Sequence, residues 1–163
     1  MKRESASSIC KWAALSLIAL AMTCAPGIKY VVVSPQETTR TFNSTFDVTW
    51  QKLLLVLGEL HVPIVTTDRA SGLVMSDHVE FQAHSAFGES MLQISGLEEK
   101  ARLGRYKLNV LVTPKGAATE VRINCHMEKF VQPCMAPTYS WVYQPSNGYI
   151  ESRVFRRLSR ELR

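Results

Sequence analysis

Between Arg105 and Met127 the chain alternates. Tyr106, Leu108, Val110 and Val112 take every second position against Lys107 and Asn109. Pro114-Lys115-Gly116-Ala117 turns the chain, and Val121, Ile123 and Cys125 resume the same period after Thr119. A period of two puts every apolar side chain of a strand on one face, and a one-residue slip would turn them all to water. The two segments therefore predict an antiparallel hairpin with one buried and one wetted face. A hairpin alone is marginal in water, so something apolar must cover the buried side.

Two helices supply the cover. Phe46, Trp50, Leu53, Leu57 and Leu60 recur at spacings of four, three, four and three, and Leu54 widens the stripe. Ser44 followed by Asp47 reads as a capping-box-like start, and Pro63 as the stop. Near the C-terminus, Ile150, Val154, Leu158 and Leu162 lie four apart with Phe155 beside them, which predicts a helix over 149–163. Trp50, Leu53, Leu57, Val154 and Leu158 are expected to bury against the sheet.

The remaining segments read less sharply. The β-branched run Ile28 to Val33, closed by Ser34-Pro35, predicts a strand, and Gln36 to Thr41 a polar lead into the first helix. Val62 to Thr67 and Leu73 to Phe81 predict a hairpin across Asp68-Arg69-Ala70-Ser71-Gly72. Met91, Leu92 and Ile94 suggest a short strand, Gly96 to Gly104 a charged loop, and Gln132 to Gly148 a loop rich in Pro and aromatics. Strands in a run with helices at both flanks make the fold class α+β: a curved antiparallel β-sheet packed against two helices. The chain has 163 residues, room for one domain and a processed segment, and 46% hydrophobic with 20% charged residues excludes wholesale disorder.

The first 24 residues differ from the rest. Lys2, Arg3 and Lys11 precede an apolar run from Trp12 to Met22, which is well short of the about 20 residues a spanning helix takes. Cys24 and then Ala25-Pro26-Gly27 follow. This is the layout of a secretory signal peptide, so residues 1–24 are expected to be a signal segment and 25–163 a single domain. The stretch Leu20-Ala21-Met22-Thr23-Cys24 resembles a bacterial lipobox, which implies lipidation of Cys24. Cleavage after Ala25 is the competing reading. Ala25 after the Cys, with no Asp there, leans by the same resemblance toward the outer membrane.

Four cysteines occur. Cys10 leaves with the signal segment, and Cys24 is consumed if lipidated. Cys125 and Cys134 remain in an oxidising compartment, where a disulfide between them is expected. It would close a loop of about ten residues, worth about 2–3 kcal/mol in the chain-entropy picture; two separate thiols are the alternative.

The net charge is +5. The last helix carries Arg153, Arg156, Arg157, Arg160 and Arg163 against Glu151 and Glu161. A basic helix can touch anionic lipid or nucleic acid, while a solvated face is the plainer reading. A secreted chain rarely meets DNA, so no nucleic-acid partner is expected.

Candidate chemistry is sparse. His78, His84 and Cys125 could be imagined around zinc, but no pair has a recognised ligand spacing. There is no G-x-S-x-G, no Cys-x-x-Cys and no Gly-rich phosphate loop. The chain is expected to be no enzyme and to need neither metal nor cofactor. Tyr139, Trp141 and Tyr143 crowd one loop with Tyr149 nearby. They form either a partner-binding patch or a plug for the sheet edge. With Arg156 and Arg160 they are the candidate partner-binding residues.

Phe46-Asp47-Val48-Thr49-Trp50, Asp68-Arg69-Ala70-Ser71-Gly72-Leu73-Val74, Arg105-Tyr106-Lys107-Leu108-Asn109-Val110 and Ser146-Asn147-Gly148-Tyr149-Ile150-Glu151 together resemble the helix-grip, TBP-like domains of BamC-type outer-membrane lipoproteins. The resemblance covers residues 28–163. It implies a lipid-anchored scaffold or protein-interaction domain in the cell envelope, on the outer membrane facing the periplasm, linked to outer-membrane assembly or maintenance, with the membrane and an envelope protein as partners. The alternative is a periplasmic helix-grip module that binds an apolar or lipid-like ligand.

Overall fold

Two long strands, β5 (Leu103–Lys115) and β6 (Ala118–Val131), form the hairpin that the alternation predicts, in unbroken register from Leu103↔Phe130 to Lys115↔Ala118. Gly116 supplies the left-handed residue of its turn, at φ 65°. The structure, a computed structural model, describes residues 37–83, 85–92, 102–132 and 138–163. The signal segment, Cys24, the expected strand Ile28–Val33, His84 and Cys134 lie outside the described residues.

Each long strand carries two short ones end to end along its outer edge. β3 (Leu73–Ser76) and β4 (Val79–Gln82) line β5, β1 (Thr39–Phe42) and β7 (Ser140–Gln144) line β6, and β2 (Ile64–Asp68) pairs outside β3. All pairs are antiparallel. The order is β1-β6-β5-β3-β2 near the turn and β7-β6-β5-β4 at the other end. The fold is thus α+β with an open antiparallel sheet of seven strands and, among the described residues, three helices: α1 (Phe46–Glu59), α2 (Ala86–Met91) and α3 (Tyr149–Glu161).

The expected continuous strand from Leu73 to Phe81 is two strands. The Ser76 hydroxyl accepts a hydrogen bond from the Leu108 N–H at 2.8 Å and donates to the Asp77 carbonyl at 2.9 Å. A side chain thus replaces a main-chain partner in the ladder, and the register moves by one residue between β3 and β4. At the β2–β3 turn, Asp68 accepts from the Ala70 and Ser71 N–H groups, and Gly72 takes φ 73°. A Cβ on Gly72 would lie 2.0 Å from the Val112 carbonyl oxygen, so only glycine fits.

α1 and α3 cover one face of the sheet. The expected core residues are all buried: Trp50 5%, Leu53 0%, Leu57 1%, Val154 0% and Leu158 0% exposed. They meet Leu108, Val110, Val121, Ile123 and Met127 from the two long strands. Burying an aliphatic or aromatic side chain of this size contributes about 1.5–3 kcal/mol, so this layer holds the helices to the sheet.

Four local expectations need correction. Thr45, not Ser44, is the N-cap of α1 and makes no side-chain cap bond, while Asp47 reaches Arg69 at 2.7 Å. α1 stops before Pro63: the Val62 N–H bonds the Leu57 carbonyl, the His61 N–H bonds the Gly58 carbonyl, and His61 takes φ 56°. That is a Schellman end, which satisfies the last carbonyls without proline. Met91 and Leu92 do not form a strand; they end and follow α2, whose N-cap Ser85 accepts from the Gly88 N–H at 2.9 Å. Two segments expected to be irregular hold strands: Thr39–Phe42 pairs with β6, and Ser140–Gln144 pairs with Met127–Val131.

Candidate functional site

The alternation that buries one face of β5 and β6 leaves the other without a helix among the described residues. On this free face the register aligns Glu80, Arg105, Glu128 and Tyr143 in one row across β4, β5, β6 and β7. The next row holds Gln82, Leu103, Phe130 and Trp141, and Lys107 opposite His126 makes a third.

The aromatic residues of this face form a layer. Phe130 lies between Tyr139, stacked at 5.4 Å and 24°, and Trp141 at 5.1 Å. The Arg102 guanidinium sits 4.7 Å from the centre of the Tyr139 ring, and that of Arg105 4.0 Å from the Trp141 ring. His126 lies 5.1 Å from Tyr143, which is 59% exposed. Glu128 is the acceptor at the centre. It takes a hydrogen bond from Arg105 Nε at 2.5 Å, and His126 Nε2 and His78 Nε2 lie 3.4 and 3.9 Å from its oxygens. Partial burial works to raise the Glu128 carboxyl, but Arg105 and His126 together outweigh it and hold it below the usual carboxylate range. The result is a platform of aromatic planes with two guanidinium groups over its rings. Such a surface suits a partner that brings apolar or planar groups.

The candidate partner-binding residues divide between two faces. Tyr139, Trp141 and Tyr143 belong to the free sheet face. Arg156 and Arg160 lie on the exposed side of α3, whose Ile150, Val154, Phe155 and Leu158 are buried toward the opposite, helix-covered face. They are therefore two surfaces, not one patch. Phe130, Arg105, Arg102, His126 and Glu128 complete the aromatic surface, and the sequence reading did not assign them to it. Phe130 had a signal: it is a large apolar residue in the outward phase of β6.

A second group of polar side chains lies inside. Glu151, in the first turn of α3, is 1% exposed and accepts from the Ser146 hydroxyl at 2.9 Å. Burial pushes its carboxyl up, opposed by its own backbone N–H and by Ser146. Cys125 carries a free, buried thiol, which burial, aided by the Glu151 charge, pushes up to about 12. Tyr106 beside it is likewise raised to about 12, mainly by burial. A thiol protonated at neutral pH is a packing group and not a nucleophile. Cys134, its expected disulfide partner, lies outside the described residues. The imagined zinc donors do not converge either. His78 stands near Glu128 on the free face, while Cys125 packs under the helices.

Among the described residues, no three His, Cys, Asp or Glu side chains are grouped to hold a metal ion, and no helix is long and apolar enough to cross a membrane. A scan against protein-family models and a search of curated proteins both return no match.

Proposed function

We propose that this chain is a non-enzymatic cell-envelope lipoprotein: a domain of the helix-grip type, held at a membrane through lipid on Cys24, that offers its free sheet face to an envelope protein. Its place is the outer membrane facing the periplasm, in assembly or maintenance of that membrane. The observation that carries the reading is the aromatic platform of Phe130, Tyr139, Trp141 and Tyr143. It sits on a sheet face that no helix covers among the described residues, with Arg102 and Arg105 over its rings. Large aromatics and arginine are the residue types that dominate interface energetics. The charged head, apolar run and Cys24 of the N-terminus supply the address.

The alternative, an apolar ligand between sheet and helices, has less support. Leu53, Val56, Leu57, Leu108, Ile123, Met127, Phe155 and Leu158 already fill that layer, each less than 2% exposed.

Two measurements test the proposal. The intact mass of the protein from fractionated membranes should show a diacylglyceryl-modified Cys24; an unmodified N-terminus at Pro26 would remove the anchor. A photo-crosslinker at Tyr143 should join one envelope protein that a crosslinker at Leu55, on the helix layer, does not reach. Equal labelling from both positions would count against the sheet face as the docking surface.

A further inference from the structure

The helix layer has an outward surface of its own. Ile150, Val154, Phe155 and Leu158 turn α3 to the core. At 100° per residue, Tyr149, Arg153, Arg156 and Arg160 then fall on the opposite side, and all four are exposed. Arg156 and Arg160 have no ionic partner among the described residues. α1 lies alongside, tied to α3 by Lys52–Glu161 at 3.1 Å and Glu59–Arg157 at 3.7 Å. Beyond that seam, α1 presents Val48 and Leu55, 45% and 47% exposed and seven residues apart, hence on one line of the helix. The outward side of the helix layer thus carries an arginine stripe and two bare aliphatic side chains, with Tyr149 and Arg153 also lying against the Phe87 ring of α2.

We propose that this outward face of α1 and α3 lies on an anionic phospholipid surface. The charge complementarity is direct. The acidic residues of α3 do not offset the stripe, because Glu151 is buried and Glu161 is paired with Lys52. Each basic side chain near an anionic leaflet raises partitioning to it roughly fivefold. Exposed aliphatic groups and tyrosine beside arginine fit the boundary between headgroups and acyl chains, where a purely polyanionic partner would leave Val48 and Leu55 bare. The inference rests on the membrane address proposed above, and it adds an orientation: with the helix layer down on lipid, the aromatic sheet face points away from the membrane.

The test uses the full chain in competition between two vesicle populations, phosphatidylcholine alone and phosphatidylcholine with phosphatidylglycerol. The N-terminal anchor enters both, and Lys2, Arg3 and Lys11 favour the anionic population where they are retained, so the helix face is read from the change in the ratio when its arginines are altered. The protein should favour the anionic vesicles, and added salt should reduce the preference. Arg156→Glu with Arg160→Glu should cut the ratio by roughly tenfold or more, while Arg156→Lys with Arg160→Lys keeps it. The Lys pair also guards against a folding defect. A ratio near one for the native chain, or a ratio unchanged by charge reversal, overturns the proposal. So does equal competition by a soluble polyanion such as RNA with no response to Val48→Ser and Leu55→Ser, which would assign the stripe to nucleic acid. An unmodified Cys24 together with a strong anionic preference would remove the anchor and leave this face standing.

Discussion

The Arg105 guanidinium lies 4.0 Å from the centre of the Trp141 ring while its Nε bonds Glu128, so one side chain joins an ion pair to an aromatic face. These residues sit on β5, β6 and β7, and the contact crosses three strands. A double-mutant cycle of Arg105→Ala and Trp141→Ala, read by urea unfolding, should give a coupling of about 0.5–1 kcal/mol. Arg105→Ala should be the costlier single change, because it also strips Glu128 of its guanidinium. Additive single mutants would mean that the ring and the cation do not interact.

His61 is the one non-glycine residue with positive φ among the described residues, and it stands at the left-handed position of the Schellman end of α1. Glycine avoids the Cβ clash there at a cost in unfolded-chain entropy. His61→Gly should therefore stabilise the domain by about 0.5–1 kcal/mol in thermal or denaturant unfolding. His61→Val should destabilise it, since a β-branched side chain tolerates that conformation poorly.

Glu151 should make stability fall with rising pH. Its folded carboxyl is raised above the ordinary 4.5, so the folded state binds the proton more tightly than the unfolded chain does. The contribution is full below pH 4.5 and is lost as pH climbs through the folded value. Glu151→Gln removes this dependence while keeping an acceptor for Ser146. The variant should melt higher than the native protein at neutral pH, with the gap closing toward acid. Parallel melting curves across that range would show that Glu151 ionises without cost.

Cys125 should resist alkylation in the native protein at neutral pH, because its thiol is buried and burial pushes it up to about 12. Unfolding without reductant should expose one reactive thiol at this position. Continued resistance until reductant is added would identify the disulfide with Cys134.

The elements legible in the sequence are those whose own side chains carry the period. The stripe of Trp50, Leu53 and Leu57 and the alternation through Leu108 and Ile123 each mark a face without reference to anything distant. β1 and β7 were not legible for the opposite reason. Thr39–Phe42 and Ser140–Gln144 are short, and they become strands only because the edge of β6 satisfies their backbone. The break at Ser76 was hidden too, since it depends on a hydroxyl meeting the Leu108 N–H from another strand. The aromatic platform was legible in part. Tyr139, Trp141 and Tyr143 advertise themselves by crowding, whereas Arg105 and Glu128 join them only through cross-strand register.

β1 and β7 share one edge of β6 but come from opposite ends of the domain. As the chain emerges N-terminus first, β1 finds no strand to join until β6 has followed it. The β5–β6 hairpin closes through a two-residue turn, tighter than the turn of β2–β3, and makes the longest run of pairs in the sheet. Assembly is therefore expected to begin in the C-terminal half and recruit the N-terminal strand afterwards. α3 follows β6 in the chain, so a chain cut before it lacks Ile150, Val154, Phe155 and Leu158, the half of the helix layer that closes the core with α1.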